Sequence, residues 1–172
     1  MNIVLIGFMA CGKTVVGKVL AAKLGLKYID VDETIEKNSK HTIAEIFKQH
    51  GETVFRDMET KAIKCVALLD HYVIAVGGGA VLRPENVHEL RSNSKLVYLS
   101  ASPEAILERI GTAGTRPLLA KEPDKLKKIK EMLAHREPFY KESDFHVDTT
   151  SLKIDQVADK IIEWYNHRIK KA

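Results

Sequence analysis

Short apolar runs rich in β-branched residues alternate with helical periodicity along this chain. Residues 3–6, 28–29, 72–76, 95–99 and 145–147 read as five strands. Between them, residues 15–24 read as a helix with Val16, Val19, Leu20 and Leu24 on one side. Thr42-Ile43-Ala44-Glu45 has the form of a capping box and starts another helix. A long helix is predicted over about 52–69, one from about Asp124 to His135 ending before Pro138, and a last one over about 154–168. Pro84 and Pro103 suit first-turn positions, where a missing N–H costs nothing, and Ser102 suits the cap before Pro103. Residues 111–117 are polar and contain glycine. They read as a lid loop between two helices, of the kind a phosphotransfer enzyme uses to exclude water.

Strands separated by helices predict an α/β fold with a five-stranded parallel sheet covered on both faces. The 172 residues suit one domain, with no linker, repeat or low-complexity segment. No apolar stretch is long enough to span a bilayer, and the first strand begins almost at Met1, so neither a membrane anchor nor a signal peptide is expected. The two cysteines, Cys11 and Cys65, make no disulfide framework, which points to a reducing cytoplasm.

The net charge of +4 allows two kinds of anionic partner, nucleic acid or small anions such as nucleotides and carboxylates. The lysines at 125, 127, 128 and 130 share one predicted helix, and Lys170 and Lys171 end the chain. No aromatic residues interleave with them, so they read as solvated faces and no nucleic-acid partner is expected.

Gly7-Phe8-Met9-Ala10-Cys11-Gly12-Lys13-Thr14 carries the chemistry. It matches the phosphate-binding pattern G-x-x-x-x-G-K-[ST] at every fixed position, between a predicted strand and a predicted helix. Its glycines let backbone N–H groups face phosphate oxygens, Lys13 reaches the β- and γ-phosphates, and the Thr14 hydroxyl suits Mg²⁺. Asp30-Val31-Asp32 follows the second strand, where open α/β sheets bind ligands. One carboxylate suits Mg²⁺ through water and the other an attacking hydroxyl; alternatively, Asp32 merely caps a helix over 33–37. Gly77-Gly78-Gly79 after the third strand suits close approach of backbone to an anion, or a sharp turn alone. Arg56, Arg116 and Arg136 are candidates for bidentate anion contacts or ordinary surface groups, and spacing does not show that Arg56 and Arg136 converge. The seven histidines show no metal-ligand spacing, and Trp164 and Tyr165 read as packing.

Taken in order, these motifs resemble the shikimate kinase family over nearly the whole chain: Gly7 through Thr14, Asp30-Val31-Asp32, Ile46-Phe47, Phe55-Arg56, Gly77–Gly79, Arg116-Pro117-Leu118-Leu119, and Arg136 ahead of Pro138 and Tyr140. The resemblance implies a three-layer P-loop kinase fold with a substrate-binding helical region (about 31–60) and a lid (about 111–122). It implies transfer of the γ-phosphoryl of ATP to the 3-hydroxyl of shikimate, with Mg²⁺, by a monomer. Gly7, Ala10, Cys11, Gly12, Lys13, Thr14 and Val15 would hold the nucleotide, with Arg109 and Lys153 toward adenine and Arg116 closing on the phosphates. Thr14 and Asp30 would serve the metal. Asp32 would bind the reacting hydroxyl and act as base. Arg56, Arg136 and backbone at Gly77, Gly78 and Gly79 would hold shikimate. Ala10 and Cys11 stand where members more often carry Gly and Ala or Ser, and Asp57 adds a negative charge beside Arg56 unless it points outward. Kinases of gluconate or nucleoside monophosphates, and a nucleotide-binding protein without catalysis, are the rival readings; the acceptor residues separate them from the first.

Overall fold

The structure, a computed structural model, describes residues 1–112, 118–119 and 122–169. Five strands, β1 (Asn2–Ile6), β2 (Lys27–Asp30), β3 (Tyr72–Ala75), β4 (Ser94–Ser100) and β5 (Phe145–Asp148), form one parallel sheet in the order β2-β3-β1-β4-β5. Around it run α1 (Lys13–Leu24), α2 (Val31–Ser39), α3 (Ile43–Ala67), α4 (Pro84–Arg91), α5 (Pro103–Thr112), α6 (Lys125–Lys141) and α7 (Ile154–Ile169), with a 3-10 turn at Ala80–Leu82.

The layering follows from strand periodicity. Every residue of β1 is buried, and alternate side chains enter opposite cores. Val4 and Ile6 pack with Val31, Ile35, Ile46, Ile63, Leu90, Ile106 and Ile129 from α2 to α6. Ile3 and Leu5 pack with Val16 and Leu20 of α1 and Val157 and Ile161 of α7. Truncating a buried residue such as Leu5 to alanine would cost about 3 kcal/mol. Among the described residues, no helix is long and apolar enough to cross a membrane.

Local chemistry sets most of the helix ends. The capping box is present: Glu45 N donates to Thr42 Oγ1 at 3.2 Å, and Thr42 N donates to Glu45 Oε2 at 2.7 Å. Ser102 Oγ accepts from Ala105 N at 3.2 Å at the start of α5. The helix from Thr42 and the long helix from 52 are both present within α3, separated by a kink at Gly51 with φ 80° and ψ 173°, a conformation only glycine adopts readily. Two expectations need revision. The cap of α2 is Asp30, whose carboxylate accepts from Asp32 N at 3.0 Å, so Asp32 lies in the first turn and does not cap it. Finally, α6 does not stop before Pro138 but continues to Lys141. A proline in mid-helix costs about 3 kcal/mol. Continuing the helix carries Tyr140 into the core at 0% exposure, and burial of that ring offsets the loss.

The expected lid falls mostly at residues 113–117 and 120–121, outside the described residues, and Arg116 lies there.

Candidate active site

The carboxyl ends of β1, β2 and β3 deliver three loops to one edge of the sheet, where ligands of open α/β folds bind. The loop after β1 turns through Gly7 (φ 140°), Ala10 (φ 58°) and Gly12 (φ 101°) before α1 begins at Lys13. At Gly7 a Cβ would strike the Leu99 carbonyl oxygen of β4, so only glycine fits. The N-terminus of α1 thereby opens onto the loop, where its N–H groups and partial positive charge favour phosphate. Lys13 Nζ donates to the Gly7 and Phe8 carbonyls, both at 2.8 Å, and lies 3.8 Å from the buried Cys11 Sγ.

A second set of bonds fixes the far side of this loop. Arg109 of α5 donates to Ala10 O at 3.3 Å and to Thr149 O and Oγ1 at 2.8 and 3.1 Å. The Thr149 hydroxyl lies 3.0 Å from the Cys11 carbonyl and 2.9 Å from that of Ser100, both acceptors. Arg109 thus clamps the phosphate loop to the segment after β5. A cavity of about 820 Å³ extends from Lys13 and Thr14 past Arg109 to Leu152 and Ile154. Val15 lines it; Lys153 is exposed beside it and is not among its lining residues. Leu152, within the 150–153 segment expected toward adenine, and Ile154, not singled out in the sequence, provide apolar surface there instead.

Asp30 and Asp32 sit where β2 gives way to α2, and their tasks are distinct. Asp30 Oδ2 accepts from Thr14 Oγ1 at 3.2 Å and Tyr28 Oη at 3.1 Å, and Oδ1 holds the Asp32 amide. Burial, with the Asp30 charge next, pushes the Tyr28 hydroxyl pKa well up, so it remains a donor to Asp30. Asp32 is turned the other way. It lines both the large cavity and an adjoining recess of about 80 Å³.

That recess brings together what spacing alone did not. It is lined by Asp32, Arg56, Arg136 and the Gly77–Gly79 backbone, with Phe47, Phe55 and Leu118 among its apolar walls. Each glycine lies where its neighbours leave little or no room for a Cβ: charged side chains at Gly77 and Gly79, phosphate-loop backbone at Gly78. At Gly77 a Cβ would fall 2.5 Å from Glu59 Oε1 and 3.0 Å from Asp32 Oδ1. At Gly78 it would fall 3.3 Å from Met9 N of the phosphate loop and 3.5 Å from Arg136 Nη1, and at Gly79 it would collide with the Arg56 guanidinium. The triplet is therefore a close approach of backbone to charged side chains at Gly77 and Gly79 and to the phosphate loop at Gly78, as well as a turn.

The two arginines are held differently. Arg56 Nη1 donates to Glu59 Oε2 at 2.8 Å, and its Nε and Nη2 donate to Glu52 Oε1 at 3.3 and 3.2 Å. Burial acts against the Arg56 charge, but Glu59 and Glu52 outweigh it and raise its pKa. Glu59 is fully buried, and burial raises its pKa although the Arg56, Arg83 and Arg136 charges oppose that. Arg136 is 93% buried, with its guanidinium carbon 5.6 Å from the Phe8 ring centroid. Two arginines at one recess suit a carboxylate, which takes bidentate contacts. Asp57 does point outward, bonded to Arg83 at 2.8 Å. Glu59, Thr149 and Tyr140 were not assigned a role in the sequence. Glu59 lies three residues beyond Arg56 on the same helix, a spacing that puts both on one face.

A phosphate cradle, a carboxylate facing both cavities and an arginine-lined recess form one continuous site. Known proteins share the sequence and fold around it. The shikimate kinase family model matches residues 9–166. A shikimate kinase from Caldanaerobacter subterraneus subsp. tengcongensis is 46% identical over 164 residues, covering 95% of each chain. One from Thermodesulfovibrio yellowstonii is 48% identical, covering 95% of this chain and 94% of its own. Among solved structures, a shikimate kinase from Acinetobacter baumannii in complex with shikimate superposes with a TM-score of 0.93 at 33% identity, covering 97% of this chain and 93% of its own. With sequence and fold in agreement over nearly its full length, the chain belongs to the shikimate kinase family.

Proposed function

We propose that the protein transfers the γ-phosphoryl group of ATP to the 3-hydroxyl of shikimate, giving shikimate 3-phosphate and ADP. The observation that carries this reading is the placement of Asp32 between the phosphate loop and a recess where Arg56 and Arg136 converge. The arginines hold the shikimate carboxylate, and that anchors the ring so that a hydroxyl meets Asp32. Asp32 orients this hydroxyl and takes its proton as the oxygen attacks phosphorus. The bond from phosphorus to the β-phosphate bridging oxygen breaks, and ADP leaves with the electron pair. Lys13 leaves its carbonyl partners for the β- and γ-phosphates, and the α1 N-terminus supports them. Arg116 enters from the lid onto the transferring group. Most of the rate gain comes from positioning and from neutralising charge.

The Thr14 hydroxyl and Asp30 carboxylate lie side by side beside the loop, a hard-oxygen donor pair that fits Mg²⁺. Among the described residues no group of three His, Cys, Asp or Glu side chains could hold a metal alone, which agrees with an ion that arrives with the nucleotide and keeps several waters. Thr14 would ligate it directly and Asp30 through water. When bound, the ion screens the phosphate oxygens against the incoming hydroxyl. The reading includes a monomer working in the cytoplasm without nucleic-acid or membrane partners, and a sedimentation run checks the assembly state.

An assay coupling ADP release to absorbance, run over shikimate, gluconate and nucleoside monophosphates, tests the acceptor. Turnover with shikimate alone is expected. Turnover with gluconate and none with shikimate would overturn the proposal.

A further inference from the structure

Gly77 to Ala80 form a β-turn: Ala80 N donates to the Gly77 carbonyl at 3.1 Å. Gly79, the third residue, has φ −102° and ψ −3°, the values of a type I turn. With glycine at both central positions, the type II alternative, which needs positive φ at the third residue, is equally open to the backbone. The two forms differ by a flip of the peptide joining Gly78 to Gly79. The turn residues therefore do not choose between them.

One side chain supplies the choice. Tyr140, fully buried at the end of α6, donates its hydroxyl to the Gly78 carbonyl. The Gly78–Gly79 peptide is trans, so the Gly79 N–H points opposite to that carbonyl, away from Tyr140. Among the described residues this N–H makes no hydrogen bond. The Tyr140 ring is fixed in turn by stacking on Tyr98 at 5.0 Å, and one helical turn before it lies Arg136, whose Nη1 borders Gly78.

We infer that Tyr140 is a positioning residue for the acceptor. By tying down the Gly78 carbonyl it selects the type I turn and keeps the Gly79 N–H directed at the recess where Arg56 and Arg136 converge. This explains why α6 runs through Pro138, since a helix ending earlier would not deliver this hydroxyl. The inference rests on shikimate being the acceptor.

Tyr140→Phe keeps the ring and removes the hydroxyl, and with it both the bond to the Gly78 carbonyl and the one to Arg136. Steady-state kinetics of the purified protein should show the shikimate KM raised about tenfold, the scale of one buried hydrogen bond. The ATP KM should stay within about twofold, because the phosphate loop keeps its own bonds. A merely structural tyrosine would lower melting temperature without separating the two constants. An unchanged shikimate KM, or an equal rise in both, would overturn the inference. The wild-type chain gives a second readout that does not depend on the variant folding. In ¹⁵N-labelled protein the Gly79 amide resonance should move on saturation with shikimate, and an unmoved resonance would count against the inference. Wild-type turnover of shikimate is measured alongside. Its absence would remove the functional reading itself, whereas its presence with an unaffected variant would remove only the role of Tyr140.

Discussion

The guanidinium of Arg56 lies flat against Gly79: a Cβ at Gly79 would fall 2.5 Å from Arg56 Cζ and 2.6 Å from Nη1. The contact joins a helix residue to the loop after β3, and Arg56 stays against the glycine through its bonds to Glu59 and Glu52. Gly79→Ala must therefore push Arg56 off its bond to Glu59. Shikimate KM is expected to rise by roughly tenfold or more, in line with losing a charge-assisted contact. Nucleotide affinity, read by ADP titration calorimetry, should be unchanged. A variant with wild-type shikimate KM would show that Arg56 is free to move without cost.

Asp32 lines both cavities, so its carboxylate is placed to serve the reacting hydroxyl. Asp32→Asn keeps the shape and removes the base. Loss of a positioned general base costs on the order of 10²-fold or more in kcat. ATP binding should persist, because Thr14 and Asp30 keep their mutual bond. Single-turnover quench flow separates the chemical step from product release, and an unaltered chemical rate would exclude Asp32 as the base.

Arg136 is buried beside Gly78 and the Phe8 ring. Arg136→Lys preserves charge but not the two-pronged geometry that a carboxylate accepts. We expect shikimate KM to rise strongly in Arg136→Ala and nearly as much in Arg136→Lys. Full recovery by lysine would mean that charge alone, without bidentate contact, holds the acceptor.

Glu59 has a pKa raised above its ordinary value of 4.5, chiefly by burial. A carboxyl whose folded-state pKa exceeds its unfolded one binds its proton more tightly when folded. Its stabilising contribution is complete below the unfolded pKa and is lost as pH rises through the folded one. Glu59→Gln has no such titration. The melting temperature of the variant minus that of wild type should therefore shift in favour of the variant as pH rises above 4.5. Its shikimate KM should rise because Arg56 loses its charged partner. A melting difference that does not vary with pH would contradict the burial-driven shift.

Much of this was legible in the order of residues. Strand-helix alternation gave the sheet, because a strand buried on both faces reads as a continuous apolar run, as at β1. The phosphate loop was legible because its glycines answer to backbone geometry that few residues tolerate, at Gly7 and Gly12. The helix through Pro138 was not, since local propensity opposes it and only the burial of Tyr140 makes it favourable. Nor was the convergence of Arg56 and Arg136, which come from α3 and α6 and meet only through the glycine loop. Thr149 escaped notice for a similar reason: its hydroxyl matters through carbonyls at Cys11 and Ser100, far away in sequence. Asp30 and Asp32 were both legible as candidates, but their division of labour needed the cap bond between them.

The acceptor and the position of phosphorylation are tested together by NMR of the product. Protein, ATP, Mg²⁺ and shikimate are incubated, and the product is followed by ³¹P spectra correlated to the ring protons. A single phosphomonoester on the 3-hydroxyl, formed in step with ADP, is the predicted result. Phosphate on another hydroxyl, or ADP formed at the same rate without shikimate, would contradict the placement of Asp32 against an acceptor held by Arg56 and Arg136.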